Sequence, residues 1–129
     1  MKKTKKFTLS VLPEIFGICH LNKNSNLPDW AIGGNFCSVA RTMDELSIIC
    51  PEDKIPGGVL VERGWRAFKV QGPLSFTATG IVAGFSTALA KAKISILYIS
   101  TYETDYILVG EKYLKKAVKI LEKFCEIKK

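Results

Sequence analysis

The stretch Ile94-Ser-Ile-Leu-Tyr-Ile-Ser-Thr-Tyr-Glu-Thr-Asp-Tyr-Ile-Leu-Val-Gly110 decides the fold. Two apolar, β-branched and aromatic runs, Ile94–Ser100 and Tyr106–Val109, flank a polar-leaning link from Thr101 to Asp105. Such runs bounded by turn chemistry read as strands, and the short link makes them a hairpin. Ile94, Ile96 and Tyr98 fall on one face of the first run, Leu97 and Ile99 on the other. That predicts a central strand covered on both sides. A plain hairpin would use Asn-Gly or Asp-Gly. This link has no glycine and gathers the side-chain oxygens of Ser100, Thr101, Tyr102, Glu103, Thr104 and Asp105, the pattern of a working loop.

Before the hairpin, Ile81, Phe85, Ala88, Leu89 and Ala92 fall at helical spacing, which predicts an amphipathic helix over 79–92. Thr77 or Thr79 can cap its start, and Lys91 and Lys93 suit its end. Trp65–Gln71 reads as a strand closed by Gly72-Pro73. After the hairpin, Leu114, Ala117, Val118, Leu121 and Cys125 mark a second helix, with Lys112, Lys115, Lys116, Lys119 and Lys123 toward water. Glu126–Lys128 adds an edge strand. The order strand, helix, strand, strand, helix, strand is the α+β, ferredoxin-like split βαβ. A right-handed crossover sets Trp65–Gln71 parallel to Ile94–Ser100, with the helix N-terminus and the link 100–105 at the ends of adjacent strands.

The N-terminal half reads as a worn copy offset by 60. Phe36–Arg41 and Leu46–Cys50 are strands around the turn Thr42–Glu45. At that offset Phe36–Thr42 falls on Ile96–Tyr102, Glu45 on Asp105, Ile48-Ile49 on Leu108-Val109, and Pro13 and Phe16 on Pro73 and Phe76. Phe7–Leu12 and Phe16–Leu21 supply two more apolar runs. The polar turn Asn22–Pro28, one helical turn at Pro28–Ala31 and the stop Gly33-Gly34 leave no room for a full helix. Pro51–Gly58 reads as a second turn or short helix and a linker. The division is a basic tail at 1–6, an abbreviated unit at 7–58 and a complete one at 59–129.

The totals bound the function. At 129 residues the chain buries enough surface to fold without a metal or disulfide staple. The net charge is +7, yet four of 19 basic residues lie in Lys2–Lys6 and seven between Lys112 and Lys129. Between Phe7 and Glu111 there are 8 basic and 10 acidic residues, a net of −2. The charge is thus read as a solvated tail and helix face rather than a nucleic-acid surface. Cys19, Cys37, Cys50 and Cys125 form no C-x-x-C pair and His20 stands alone, so no metal is expected; the cysteines read as buried thiols of a reducing compartment. No apolar run approaches a membrane span and no export signal is recognised, so the expected location is cytoplasmic. There is no Walker pattern and no partner set for a Ser-His-Asp triad. Arg63–Phe68 departs from an RNA-binding RNP1 segment at Arg66 and Ala67.

One constellation carries chemistry. Gly80 lets a ligand approach the helix N-terminus, whose amides favour a carboxylate. Asp105 offers a carboxylate to a cation. Together they suit a zwitterion, an amino acid; the alternative is that Asp105 caps its own turn and Thr79 its own helix.

A family resemblance joins that reading. Asp44-Glu-Leu-Ser-Ile-Ile-Cys-Pro-Glu, Glu62-Arg-Gly-Trp-Arg, Gly72-Pro-Leu-Ser-Phe with Thr79-Gly-Ile, and Ile94-Ser-Ile with Ile99-Ser-Thr-Tyr-Glu-Thr-Asp-Tyr together resemble the ACT-domain superfamily, in particular its small tandem, CASTOR-type branch. The resemblance spans about Leu9 to Leu121. It implies tandem ferredoxin-like (βαββαβ) ACT units, the N-terminal one abbreviated. It also implies regulatory binding of an amino acid at an interface between units, with no catalysis and no cofactor. Carried over by motif, the ligand positions are Gly80, Ile81, Thr101, Tyr102, Thr104 and Asp105. It further implies a homodimer or larger assembly. The alternative function is an ACT-fold scaffold with a vestigial pocket whose sheet edges pair with partners, ahead of a nucleic-acid module built on Lys112–Lys129.

Overall fold

The computed structural model describes residues 7–71 and 81–129, the latter without the side chains of Ile81 and Val82. The expected turn at 72–76, the caps Thr77 and Thr79, and Gly80 lie outside the described residues. The elements in order are β1 (Phe7–Val11), β2 (Phe16–Leu21), β3 (Ser38–Arg41), β4 (Leu46–Pro51), β5 (Leu60–Val70), α1 (Ile81–Lys91), β6 (Ile96–Ser100), β7 (Asp105–Gly110), α2 (Leu114–Leu121) and β8 (Cys125–Lys128). Short 3-10 turns occupy Asp29–Ala31, Glu52–Lys54 and Glu111–Tyr113. The contacts gather into two compact units: the chain up to Leu12 together with Arg66–Lys129, and Pro13–Trp65.

In the larger unit the strands run β8, β1, β5, β7, β6. β1 is antiparallel to β5 and parallel to β8, and β6 is antiparallel to β7. α1 and α2 bury Phe85, Leu89, Ala117, Val118 and Leu121 against Phe68 and Val70 of β5, Ile107 and Val109 of β7, and Leu9 of β1. Phe85 meets Phe7 and Phe124 with ring centroids 5.9 and 5.6 Å apart. Of the helical spacing read from the sequence, Phe85 and Leu89 are buried on α1 and Ala88 is half-buried between them. The five lysines of the 112–123 segment are exposed.

α1 ends in a Schellman arrangement: Lys93 N–H donates to Ala90 O at 2.9 Å and Ile94 N–H to Leu89 O at 3.0 Å. Lys93 adopts φ 60°, a conformation usually given to glycine. Ile94 packs into the core beside Leu89 as the hydrophobic partner of that cap. This is why the strand expected from Ile94 begins at Ile96.

The smaller unit orders its strands β3, β4, β2 and the first half of β5, all neighbours antiparallel. Cys19, Leu46, Ile48 and Cys50 form its core with Ala31 of the first 3-10 turn and Ile55 just after the second. The Asp29–Ala31 turn is all the helix found between β2 and β3, as Asn22–Gly34 led one to expect.

β5 carries a bulge. Phe16 pairs with Trp65, but Ile18 pairs with Glu62, so β5 spends one extra residue there. Gly64 takes φ +81° at that point. Its N–H donates to Glu52 Oε1 at 2.9 Å, and Arg63 Nη1 donates to Glu52 O at 3.0 Å. The extra residue breaks the alternation of β5 at that point; in the regular stretch beyond it, Ala67 and Phe68 face opposite ways and both are buried. A Cβ on Gly64 would meet nothing within 4 Å, so Gly64→Ala costs backbone strain alone. The expected loss is about 1 kcal/mol of unfolding free energy, measured by urea denaturation. A neutral result would show that the bulge tolerates another backbone conformation.

The structure revises several expectations. Among the described residues β6 is an edge strand, half-buried and paired only with β7; the inner strand of the hairpin is β7, whose Ile107, Leu108 and Val109 are fully buried. β7 also pairs with β5, so β5 and β6 are not neighbours as the crossover reading had them. Cys125 begins β8 rather than ending α2, because it pairs with Phe7 of β1. β1, counted with the N-terminal half by sequence, packs with the larger unit. The internal repeat is real for the hairpins but its offset is 59: Arg41 pairs with Leu46 as Ser100 pairs with Asp105. Leu46, not Glu45, is therefore the counterpart of Asp105.

Candidate functional site

The link between β6 and β7 is a turn closed by its own threonines. Thr101 N–H donates to Thr104 O at 2.7 Å, and the Thr101 hydroxyl donates to the same carbonyl at 2.9 Å. Thr104 N–H points back to Thr101 Oγ1 at 3.3 Å. Short hydroxyl side chains replace the missing glycine by hydrogen-bonding the local backbone. Thr104 is 4% exposed, and its hydroxyl donates to Val70 O at 2.6 Å. The turn is thereby tied to the C-terminal end of β5.

Asp105 follows at once, half-buried. It is paired with Ser100, and Tyr98 stands two residues back on the same face of β6. The Tyr98 hydroxyl donates to Asp105 Oδ2 at 2.7 Å. Among the described residues no second donor to Asp105 is found. Burial first, then the hydrogen bond and charge of Asp105, push the Tyr98 phenol well above its ordinary range. Tyr98 therefore remains a protonated donor that holds Asp105 in one orientation.

The raised phenol has a pH consequence. In the unfolded chain a tyrosine ionises near pH ~10, while folded Tyr98 keeps its proton beyond that point. Above about pH 10 the folded state binds more protons, so this contribution is fully present below pH 10 and is lost as the pH rises. Tyr98→Phe is expected to flatten the alkaline fall in stability relative to the parent chain, measured by denaturation across that range. Parallel curves for the two proteins would assign the slope to other groups.

Of the six positions carried over by motif, Thr101, Tyr102, Thr104 and Asp105 come together on this turn. Tyr102 projects at its tip, 82% exposed. Ile81 is the first residue of α1, and its side chain, like all of Gly80, lies outside the described residues. The alternative in which Asp105 caps the turn does not match the bonds, since Thr101 performs that role. Sequence reading missed Tyr98; the signal was its place two residues before Ser100 on the face of Asp105.

The counterpart turn in the smaller unit has the same scaffold. Thr42 N–H donates to Glu45 O at 2.8 Å, and Thr42 Oγ1 accepts from Asp44 N at 3.0 Å and Glu45 N at 3.1 Å. The residues at the positions matching Asp105 and Tyr98 differ. Fully buried Leu46 replaces Asp105, and Val39 replaces Tyr98. Arg41 secures the preceding loop by donating to Lys23 O and, at 2.7 Å, to Ser25 O. This turn keeps the architecture without the carboxylate.

Two open clefts lie in the smaller unit, neither touching the 101–104 turn. One, of about 330 Å³, is lined by Ile18, His20, Glu45, Ser47, Leu60 and Glu62 among others; the second, of about 280 Å³, by Pro13, Glu14, Ile15, Glu52 and Asp53. Glu14 is already engaged by Asn35 N–H at 2.7 Å and Asn35 Nδ2 at 3.0 Å. Among the described residues no group of three His, Cys, Asp or Glu could hold a metal ion, and no helix is long and apolar enough to cross a membrane.

Comparisons with known proteins bear on the whole chain. The family model described as "ACT domain" matches residues 60–123, and a second, described as an N-terminal domain, matches 14–58. The human "Cytosolic arginine sensor for mTORC1 subunit 1" is 35% identical over 77 residues, covering 56% of this chain and 23% of that protein. The chain thus spans about a quarter of that relative. A crystal structure of an Agobacterium tumefaciens protein superposes with a TM-score of 0.89 at 38% identity, covering 96% of this chain and 93% of that one. The ligand-free regulatory subunit of aspartate kinase from Thermus thermophilus shares the fold, with a TM-score of 0.62 at 10% identity over 95% of this chain and 99% of that one.

Proposed function

Because the chain belongs to the ACT-domain superfamily, we propose that it is a non-catalytic regulatory module that binds an amino acid. The ligand ammonium meets Asp105, and its carboxylate meets the first-turn amides of α1 near Gly80 and Ile81. Thr101, Tyr102 and Thr104 shape the wall. The observation that carries this reading is the half-buried Asp105, oriented by Tyr98 on a turn whose hydroxyls are already committed to the backbone. A carboxylate presented in this way is prepared for a cation at little ordering cost.

Thermal denaturation of the chain with each common amino acid tests the proposal. Arginine comes first because the name of the human relative specifies it. A ligand present at ~100 times its Kd adds about 2.7 kcal/mol by mass action, which a Tm shift reports. No shift with any amino acid would overturn the reading. The scaffold alternative then gains ground: among the described residues β3 is a short edge strand paired only with β4, with three of its four residues exposed. A nucleic-acid role has less support, since Lys116 donates to Ala92 O and Lys112 lies over the Tyr113 ring.

The same proposal includes a homodimer or larger assembly, as a symmetric partner could cover open sheet edges. Sedimentation of a monomer at high concentration, with and without ligand, would remove that part.

A further inference from the structure

Three cysteines of the Pro13–Trp65 unit meet on one face of its sheet. Cys50 on β4 stands opposite Gly17 of β2, and Cys19 on β2 stands opposite Ile48, so Cys19 and Cys50 are diagonal neighbours. Cys19 and Cys50 lie in the same buried core cluster. Cys37 directly precedes β3, which pairs Ser38 with Ile49. One further step of that register sets Cys37 opposite Cys50. The Cys37 side chain packs against the cluster that holds Cys50 and Cys19. None of the three carries a disulfide.

Spacing separates the two pairs. Directly opposed residues of antiparallel strands have Cα atoms ~4.5 or ~5.5 Å apart, inside the disulfide range. Diagonal neighbours are ~7–8 Å apart, outside it. Access separates them as well. Cys19 and Cys50 are buried and Cys37 is half-buried. Cys37 also adjoins a four-residue edge strand, the kind of element that opens locally at low cost.

We propose that Cys37 and Cys50 form an oxidisable pair that a hydroperoxide closes into a cross-strand disulfide, leaving Cys19 reduced. The Cys37 thiolate attacks the hydroperoxide; the S–O bond forms, the O–O bond breaks, and the departing oxygen takes a proton to leave as water or an alcohol. The Cys50 sulfur then attacks the sulfenic sulfur. The S–S bond forms, the S–O bond breaks, and the hydroxide leaves with the Cys50 proton as water. The two thiols lose two electrons and the hydroperoxide gains them. Burial, with the neighbouring thiols adding to it, raises the Cys50 thiol to about 11. Cys50 therefore acts as the resolving partner and not as the first site of attack. The pair is independent of amino-acid binding.

The test uses the full chain, reduced, exposed to hydrogen peroxide, alkylated under denaturing conditions and digested with trypsin without reductant. Cleavage after Lys23, Arg41 and Lys54 places Cys19, Cys37 and Cys50 on separate peptides. The expected product joins peptide 24–41 to peptide 42–54, lighter than their sum by two hydrogens and separated again by dithiothreitol. Cys19→Ser keeps this product, whereas Cys37→Ser and Cys50→Ser abolish it. The map of the unmodified sequence decides even where a serine variant does not fold. A bridge through Cys19 or Cys125, a bridge between two copies, over-oxidised Cys37 without a bridge, or full retention of thiols would each overturn the proposal.

Discussion

Asp105→Asn is expected to weaken amino-acid binding by roughly ten- to a hundredfold while leaving the unliganded protein nearly as stable. The carboxylate would make a charge-assisted hydrogen bond to the ligand ammonium in a partly dry site, a contact of ~1.5–3 kcal/mol. At ~1.4 kcal/mol per decade of Kd, that gives the stated range. Asn is close in size, and its carbonyl oxygen still accepts the Tyr98 hydroxyl that now reaches Asp105 at 2.7 Å. The fold thus loses little. Glu103→Gln is the control, because Glu103 is exposed at the tip of the same turn and its carboxylate stays solvated. Titration calorimetry on both variants, with the amino acid found by thermal screening, reads the difference. Unchanged affinity in Asp105→Asn would take Asp105 out of the site.

The parts of this arrangement that periodicity encodes were legible in the sequence, and the parts that depend on a distant partner were not. The stripe of Phe85, Ala88 and Leu89 fixes α1 because helical spacing is local. The dense oxygens of 100–105 mark the turn for the same reason. The edge position of β6 was not readable, since an apolar run of that length looks the same beside one neighbour or two. β1 is likewise a strand by alternation, but nothing within Phe7–Val11 specifies that it inserts between β5 and β8. The bulge at Gly64 shifts the alternation of β5, and beyond it Ala67 and Phe68 are both buried although consecutive strand residues face opposite ways, so the sequence could not single out one inward position. Tyr98 escaped notice because its role appears only when register sets it diagonal to Asp105. The one-residue slip in the repeat had a cost of the same kind. It matched Glu45 to Asp105, whereas pairing shows a buried leucine there, which withdraws the carboxylate from the smaller unit's turn.

Thr104→Val is expected to destabilise the protein by about 1–3 kcal/mol and to weaken amino-acid binding as well. The substitution nearly preserves shape but removes the hydroxyl that donates to Val70 O at 2.6 Å from a residue 4% exposed. A buried carbonyl that loses a donor incurs much of the desolvation penalty of that group. The turn's own closure survives, because Thr101 bonds the backbone of residue 104, which the change leaves in place. What is lost is the tie between the turn and the end of β5. Asp105 directly follows that tie, so its position relative to α1 loosens, and the ligand must then supply the ordering that the protein no longer holds in advance. Thr104→Ser separates the two effects: it keeps the donor and removes only the methyl group, so it should retain most of the affinity. Denaturant unfolding and ligand titration on Val and Ser side by side give the answer. Equal behaviour of the two variants would show that the hydroxyl has no part in holding the turn.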